Sequence, residues 1–237
     1  MVKLTSAEIK SVKALSAKKF RDLEGLFVVE GENMVSEALA SGFKIEKIYR
    51  RDEIGEEQMS RISSLDSPSP VLAVIHKAEA KPALAGKGLF LALDSVRDPG
   101  NLGTILRIAD WFGIDGIFAS EDTVDQYNPK VVQASMGAVF RKTVIYCNLP
   151  ALCGSFRQAG LPVYGTFLDG SDIYAADLKP EGLIVMGSES FGISKEVGTC
   201  VDSRIKIPSY SAGPGAESLN VAVATAVTVA EFKRRNS

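Results

Sequence analysis

Three stretches of this 237-residue chain carry polar residues in patterns that suit chemistry. The first, Asp94-Ser95-Val96-Arg97-Asp98-Pro99-Gly100-Asn101-Leu102-Gly103, follows an apolar run and leads into a helical pattern that contains Arg107. Asn101 can cap that helix, and the free N–H groups of such a helix start suit an anion or a ribose phosphate. The residues between Asn101 and Arg107 are apolar or small, which is not the setting of a solvated charge face. Arg107 therefore either serves a site or pairs with Asp94, Asp98 or Asp110. The second stretch is Gly187-Ser188-Glu189-Ser190-Phe191-Gly192. Its glycines permit tight turns and close approach to a ligand, and Glu189 can accept hydrogen bonds, anchor Arg107, or simply favour a helix start. The third runs from Ile207 to Asn220 and contains Gly213-Pro214-Gly215-Ala216-Glu217-Ser218. That hexapeptide imitates a dinucleotide-binding turn. However, Ser218 replaces the third glycine, and too little chain follows to supply the ribose-binding acid. A nicotinamide-dependent oxidoreductase is thus a poor reading, separable by a cofactor titration.

Other chemistries are excluded by counting. The one histidine, His76, rules out histidine-rich metal sites and two-histidine proteases, and its place just beyond a buried strand suits a structural or exposed role. Three cysteines, Cys147, Cys153 and Cys200, cannot all pair, which fits a reducing compartment. No phosphate-binding G-x-x-x-x-G-K-[ST] loop exists. Apolar residues make up 46% and charged residues 24%, an ordinary globular mixture. The start of the chain is polar and lacks the apolar core of a signal peptide, so a cytoplasmic protein is expected.

The elements that must position these loops can be read from periodicity. Thr5 or Ser6 with Glu8 suggests a capping box, followed by Ile9, Val12, Leu15 and Phe20 at helical spacing. Strands are expected at 26–29, 45–49 and 71–75, with a helix at 35–40 between the first two, forming a small α/β unit. Beyond it, strands at 89–93, 116–119, 143–147, 163–168, 183–187 and 205–208 and helices at 102–112 and 128–138 indicate βαβ units and a mostly parallel sheet. Residues 219–230 are apolar nearly all round; their valines and threonines favour strand and their length favours helix.

Taken together, D-x-V-x-D-P-G-N-L-G-x-I-L-R-x-A-D-W-F-G over residues 94–113 resembles the first signature of the SpoU/TrmH family of RNA 2′-O-ribose methyltransferases. Gly187-x-Glu189-x-x-Gly192 is similar to the second, and Ile207-Pro208 with Glu217-Ser218-Leu219-Asn220-Val221 to the third. Phe27-Val28-Val29-Glu30-Gly31 also looks like the substrate-binding domain many members carry in front. The resemblance implies an α/β chain whose C-terminal parallel-sheet catalytic domain holds a deep trefoil knot of the SPOUT type, preceded by a small α/β substrate-binding domain. The expected divisions are 1–80 for RNA binding, 81–88 as linker and 89–237 as the knotted methyltransferase domain. It further implies S-adenosylmethionine as cofactor, held at Gly187, Ile207 and Leu219, catalytic residues Asn101, Arg107, Glu189, Ser218 and Asn220, and a homodimer acting on rRNA or tRNA. Arg107 is expected to hold a phosphate and the developing alkoxide, oriented by Glu189 and Asn101. The turn from Ser209 to Ala216 is about three residues longer than the family's usual one, which keeps open a non-catalytic RNA-binding relative.

Charge adds one expectation. The net charge is −2, yet residues 1–22 hold Lys3, Lys10, Lys13, Lys18, Lys19 and Arg21 against Glu8 and Asp22. A basic end on an acidic body suits a polyanion, so Lys10, Lys13, Lys18, Lys19 and Arg21 are candidate RNA contacts; a solvated helix face is the plainer alternative.

Overall fold

The computed structural model describes residues 3–78, 86–211 and 216–235. Most of the expected linker 81–88, and Gly213, Pro214 and Gly215 of the third loop, lie outside the described residues.

Thr5 opens α1 (Ser6–Ala14) with the expected capping box: its Oγ1 accepts the Glu8 N–H while the Glu8 carboxylate accepts the Thr5 N–H. The helix does not run on to Phe20. It stops at Leu15 and restarts as α2 (Lys18–Glu24), and Arg21 donates to the Leu15 and Ser16 carbonyls that the break frees. Then come β1 (Leu26–Glu30), α3 (Glu32–Ala40), β2 (Ile45–Arg50), α4 (Arg51–Ile54), α5 (Glu56–Ile62) and β3 (Val71–His76). β3 is central and antiparallel to both neighbours, in the order β1-β3-β2. Val12, Leu15, Val28, Met59, Ile62 and Leu72 share a core on one face of this sheet.

The second part begins with β4 (Leu89–Leu93), α6 (Pro99–Trp111) and β5 (Gly116–Ala119). Next is α7 (Pro129–Ser135), capped by Asn128 as expected and ended by Met136 in the left-handed region. By its contacts the chain divides into two compact units, Met1–Glu79 with Asp125–Arg141, and Ala80–Val124 with Lys142–Ser237. The segment 125–141 thus groups with the first unit instead of the sheet that precedes it. Two contacts explain this. The Arg21 guanidinium reaches Asp125 Oδ2 at 2.7 and 2.9 Å, and Phe27 packs on Tyr127, ring centroids 4.5 Å apart, and on Phe140 at 6.4 Å.

After a short 3-10 helix (Ala138–Phe140) come β6 (Val144–Tyr146), α8 (Leu149–Gln158), β7 (Val163–Asp172), β8 (Gly182–Met186), α9 (Lys195–Gly198), β9 (Ser203–Lys206) and α10 (Val221–Arg235). The six-stranded sheet has the order β6-β5-β4-β8-β7-β9 and every pairing is parallel. β4 and β8 are buried at all positions, as strands covered on both faces must be. From β4 the chain winds outward to β6, and after β7 it places β8 on one side of β7 and β9 on the other, so the strand order reverses beside the β4–β8 pair. Ligands of open α/β sheets bind at the carboxyl ends of strands beside such a reversal. The ambiguous apolar segment is helical. α10 packs against α6, and its Phe232 meets the Tyr164 ring edge-on at 4.9 Å. Among the described residues no helix is long and apolar enough to cross a membrane.

Candidate active site

Two strand ends are tied first. Asp94, directly after β4 and buried, donates its N–H to the Met186 carbonyl at 2.9 Å, and its Oδ2 accepts the Ser194 N–H at 2.7 Å. The loops after β4 and β8 are thereby fixed to each other. Between them Gly187 starts a turn so tight that a Cβ there would lie 2.1 Å from the Gly192 carbonyl carbon, so no other residue fits. The turn is closed by reciprocal hydrogen bonds, Ser188 N–H to Gly192 O at 2.9 Å and Gly192 N–H to Ser188 O at 3.0 Å.

The helix cap differs from expectation. Asp98, not Asn101, caps α6, its Oδ1 accepting the Asn101 N–H at 2.8 Å with Pro99 in the first turn. Proline belongs at the first helical position, which fixes the cap one residue before it. Released from capping, the Asn101 side chain bridges the loops. Its Nδ2 donates to Glu189 Oε1 at 2.6 Å and its Oδ1 accepts from Asn220 Nδ2 at 2.8 Å. Asn220 in turn caps α10, its Oδ1 accepting the N–H groups of Ala222 at 2.9 Å and Val223 at 3.3 Å. Residues from three distant segments form one line of hydrogen bonds whose donor and acceptor ends are all assigned.

This line borders a cavity of about 480 Å³. Its wall includes Gly187, Glu189, Ile207, Ser218 and Leu219, all expected at the site, with Thr166, Phe167, Leu168, Met186 and Lys206. A volume within the roughly 300–1,000 Å³ range of small-molecule sites, with apolar walls and a few polar groups, suits a cofactor.

Residues 88–230 match the SpoU rRNA Methylase family, and residues 6–79 match the MRM3-like substrate binding domain. The chain belongs to the SpoU rRNA methylase family. It is 33% identical over 238 residues to the 23S rRNA (guanosine(2553)-2′-O)-methyltransferase RlmP of Bacillus subtilis, covering 94% of each chain. It is 30% identical over 239 residues to the 23S rRNA (guanosine-2′-O-)-methyltransferase RlmB of Pseudomonas aeruginosa, covering 97% of this chain and 95% of that one. Among solved structures, an AdoMet-bound rRNA methyltransferase from Sinorhizobium meliloti superposes with a TM-score of 0.87 at 32% identity, over 99% of this chain and 98% of that one.

In this SpoU methylase chain Arg107 stands apart from the line of hydrogen bonds. It is exposed and, among the described residues, makes no hydrogen bond or ion pair, so neither the pairing with Asp94, Asp98 or Asp110 nor the orientation by Glu189 and Asn101 is realised. Helix geometry gives the reason: six residues after Asn101, Arg107 is turned about 240° around α6 and sits about 9 Å further along it. Arg21 departs further from expectation. Its side chain is 2% exposed and fully engaged by Asp125, Leu15 and Ser16, so it is not an RNA contact. Lys18 is exposed but paired to Asp22 at 2.5 Å, while Lys10, Lys13 and Lys19 are exposed.

Periodicity missed the wall at Thr166–Leu168, which reads as plain strand. β7 in fact loses register with β9 between Thr166 and Ser171, and residues 167–170 bulge out. Arg204 pins the bulge, its guanidinium 3.4 Å from the Phe167 ring centroid and its Nη2 2.5 Å from Asp169 Oδ1. Asp169-Gly170 was the available signal. A Cβ at Gly170 would fall 2.6 Å from the Ile205 carbonyl carbon.

Proposed function

We propose that this chain transfers the methyl group of S-adenosylmethionine to a ribose 2′-hydroxyl of ribosomal RNA. One observation carries the reading: the Asn220–Asn101–Glu189 line stands at the edge of a cavity walled by Gly187, Ile207 and Leu219. The names of the similar proteins from Bacillus subtilis and Pseudomonas aeruginosa support ribosomal RNA over transfer RNA. A purely RNA-binding relative would have no use for that cavity.

When bound, S-adenosylmethionine supplies an electrophilic methyl on a sulfonium. Gly187, Ile207 and Leu219 hold it along the cavity wall, and Ser218 and Asn220 shape the side toward the ribose. Asn101 fixes the Glu189 carboxylate through Oε1, which leaves the other carboxylate oxygen to orient a ribose hydroxyl. The proton of that hydroxyl must leave as the oxygen–carbon bond forms. A guanidinium stays protonated, so Arg107 is not the base; it holds the neighbouring phosphate and the developing alkoxide while the proton passes to phosphate or water.

The same reading includes a homodimer. α6 exposes Gly100, Thr104, Arg107 and Trp111 on one stripe, with Trp111 85% exposed, and the adjoining α10 exposes Val223. A second copy over this apolar surface would cover Trp111 and bring Arg107 beside a shared RNA-binding crevice. A deep trefoil knot, implied by the family resemblance, accords with cavity walls drawn from three separated segments and with α10 tied back by Arg235 to the carbonyls of Ile173 and Ala176. The enzyme would work on ribosomes in the cytoplasm, with Lys10, Lys13, Lys18 and Lys19 of the first unit touching phosphates.

Transfer of labelled methyl to RNA by Arg107→Ala and Arg107→Lys tests the role of the cation. Both should lose most turnover, the lysine variant because it lacks the planar fork. Wild-type turnover in either would remove Arg107 from the mechanism.

A further inference from the structure

The Ser188–Gly192 turn has two sides. One faces the cofactor-sized cavity. The other closes a separate cleft of about 240 Å³, lined by Ser95, Arg97, Ser188, Glu189, Phe191 and Ser194 among others. Three observations set this cleft apart. Phe191 is 87% exposed on a turn locked by its own hydrogen bonds, including Phe191 N–H to Ser188 Oγ at 3.1 Å, so the ring is held out in solvent by a stiff backbone. Arg97 is 68% exposed and anchored by one arm, Nη2 to Asp122 Oδ2 at 2.8 Å. Arg97 and then Ser120 hold the Asp122 carboxyl down to about 2, so the anchor stays ionised at any pH where RNA is handled. Ser95 occupies the left-handed region at φ 60°, unusual for serine and costly unless the surroundings enforce it; its N–H donates to Ser120 Oγ at 2.8 Å.

We propose that this cleft binds the nucleotide next to the methylated one in the RNA substrate, with its base stacked on Phe191 and its phosphate on Arg97. The inference rests on the methyltransferase reading above and adds a subsite to it. The cleft's chemistry selects the ligand. A bare anion is disfavoured because the Glu189 carboxylate forms part of the wall, and an apolar ligand is disfavoured by four serines and a guanidinium. A nucleotide satisfies all of these groups, since it offers a π-face to Phe191, a phosphate to Arg97 and hydroxyl or amino donors to Glu189. The volume lies below that of a drug-sized pocket, which suits one unit of a polymer whose next unit continues past Glu189. Because Glu189 belongs to both sides of the turn, filling the cleft sets the neighbouring ribose in register with Asn101. Phe191 is then a specificity and positioning residue, not a catalytic one.

The test uses the full-length protein and total RNA from cells that lack it, with Phe191→Ala, Phe191→Trp and Arg97→Gln. For Phe191→Ala the RNA KM should rise roughly 5- to 150-fold, the range of one lost base–aromatic stack, and Phe191→Trp should restore it. Arg97→Gln should lower the salt dependence of RNA binding by about 0.7 in log–log slope, one phosphate's worth on a single strand. Phe191 also reaches the rim of the larger cavity, so S-adenosylmethionine binding is measured beside these values by calorimetry, and it should stay within about threefold of wild type. An unchanged RNA KM overturns the subsite. So does an equal loss of cofactor affinity, or a shift from dimer to monomer in sedimentation, which would assign Phe191 to the cofactor or to a second copy. If the wild-type protein itself transfers no methyl to RNA, the methyltransferase reading fails instead, and that result is distinct from wild-type turnover with indifferent variants.

Discussion

One polar cluster in each compact unit shows two opposite uses of polar residues. In the first, Arg21 and Glu30 are turned inward and neutralised. Arg21 is saturated by Asp125 and two backbone carbonyls, and buried Glu30 accepts from Ser63 Oγ at 2.5 Å and from Ser64 N and Oγ at 2.8 and 2.6 Å. In the second, the Asn220–Asn101–Glu189 side chains are hydrogen-bonded to one another yet remain open to solvent, beside buried Asp94. Paired and buried charge holds a fold; paired and accessible polarity presents a surface of fixed geometry to a ligand. Basic sequence alone does not separate these roles, because Arg21 and Lys19 look alike until their surroundings are known.

The contrast can be broken by mutation. Arg21→Ala leaves Asp125 buried without its cation and should cost about 3–5 kcal/mol of unfolding free energy, measured by urea denaturation; a loss below 1 kcal/mol would show that the first unit is not held this way. Asn101→Ala should do the reverse, lowering kcat by roughly 10²-fold, as removal of a preorganised donor does, while the denaturation midpoint barely moves. Equal damage to stability and turnover would erase the distinction between the units. Smallest is the combined Lys10→Glu, Lys13→Glu, Lys19→Glu variant. It should leave stability and kcat alone and reduce the salt slope of RNA binding, whereas an unchanged slope returns these lysines to the status of a solvated helix face. Deleting residues 1–22 is a poorer test, since it removes Arg21 and the fold with it.

Legibility in the sequence followed the range of the interactions. The buried strands β4 and β8 are continuous apolar runs and were read almost to the residue, as were the Thr5 and Asn128 caps, whose partners lie within three residues. α8 was missed although Asn148-Leu149-Pro150 offers a similar start signal, because Gly154 and its short length blur the periodicity. Arg21 could not be understood from its neighbours, since its partner lies 104 residues away. At the candidate site the membership was legible and the wiring was not. Glu189, Ser218 and Asn220 were named from motif order, but the transfer of the cap from Asn101 to Asp98, which frees Asn101 to bridge Glu189 and Asn220, depends on where α6 begins.

Methyl transfer to a ribose oxygen is distinguished from base methylation by alkaline hydrolysis. RNA labelled by the wild-type protein from methyl-labelled S-adenosylmethionine is digested in base, which cleaves only beside a free 2′-hydroxyl. Label is expected in an alkali-stable dinucleotide, formed roughly 10²-fold more slowly in the Asn101→Ala reaction. Label recovered in mononucleotides would place the methyl on a base and contradict transfer to ribose.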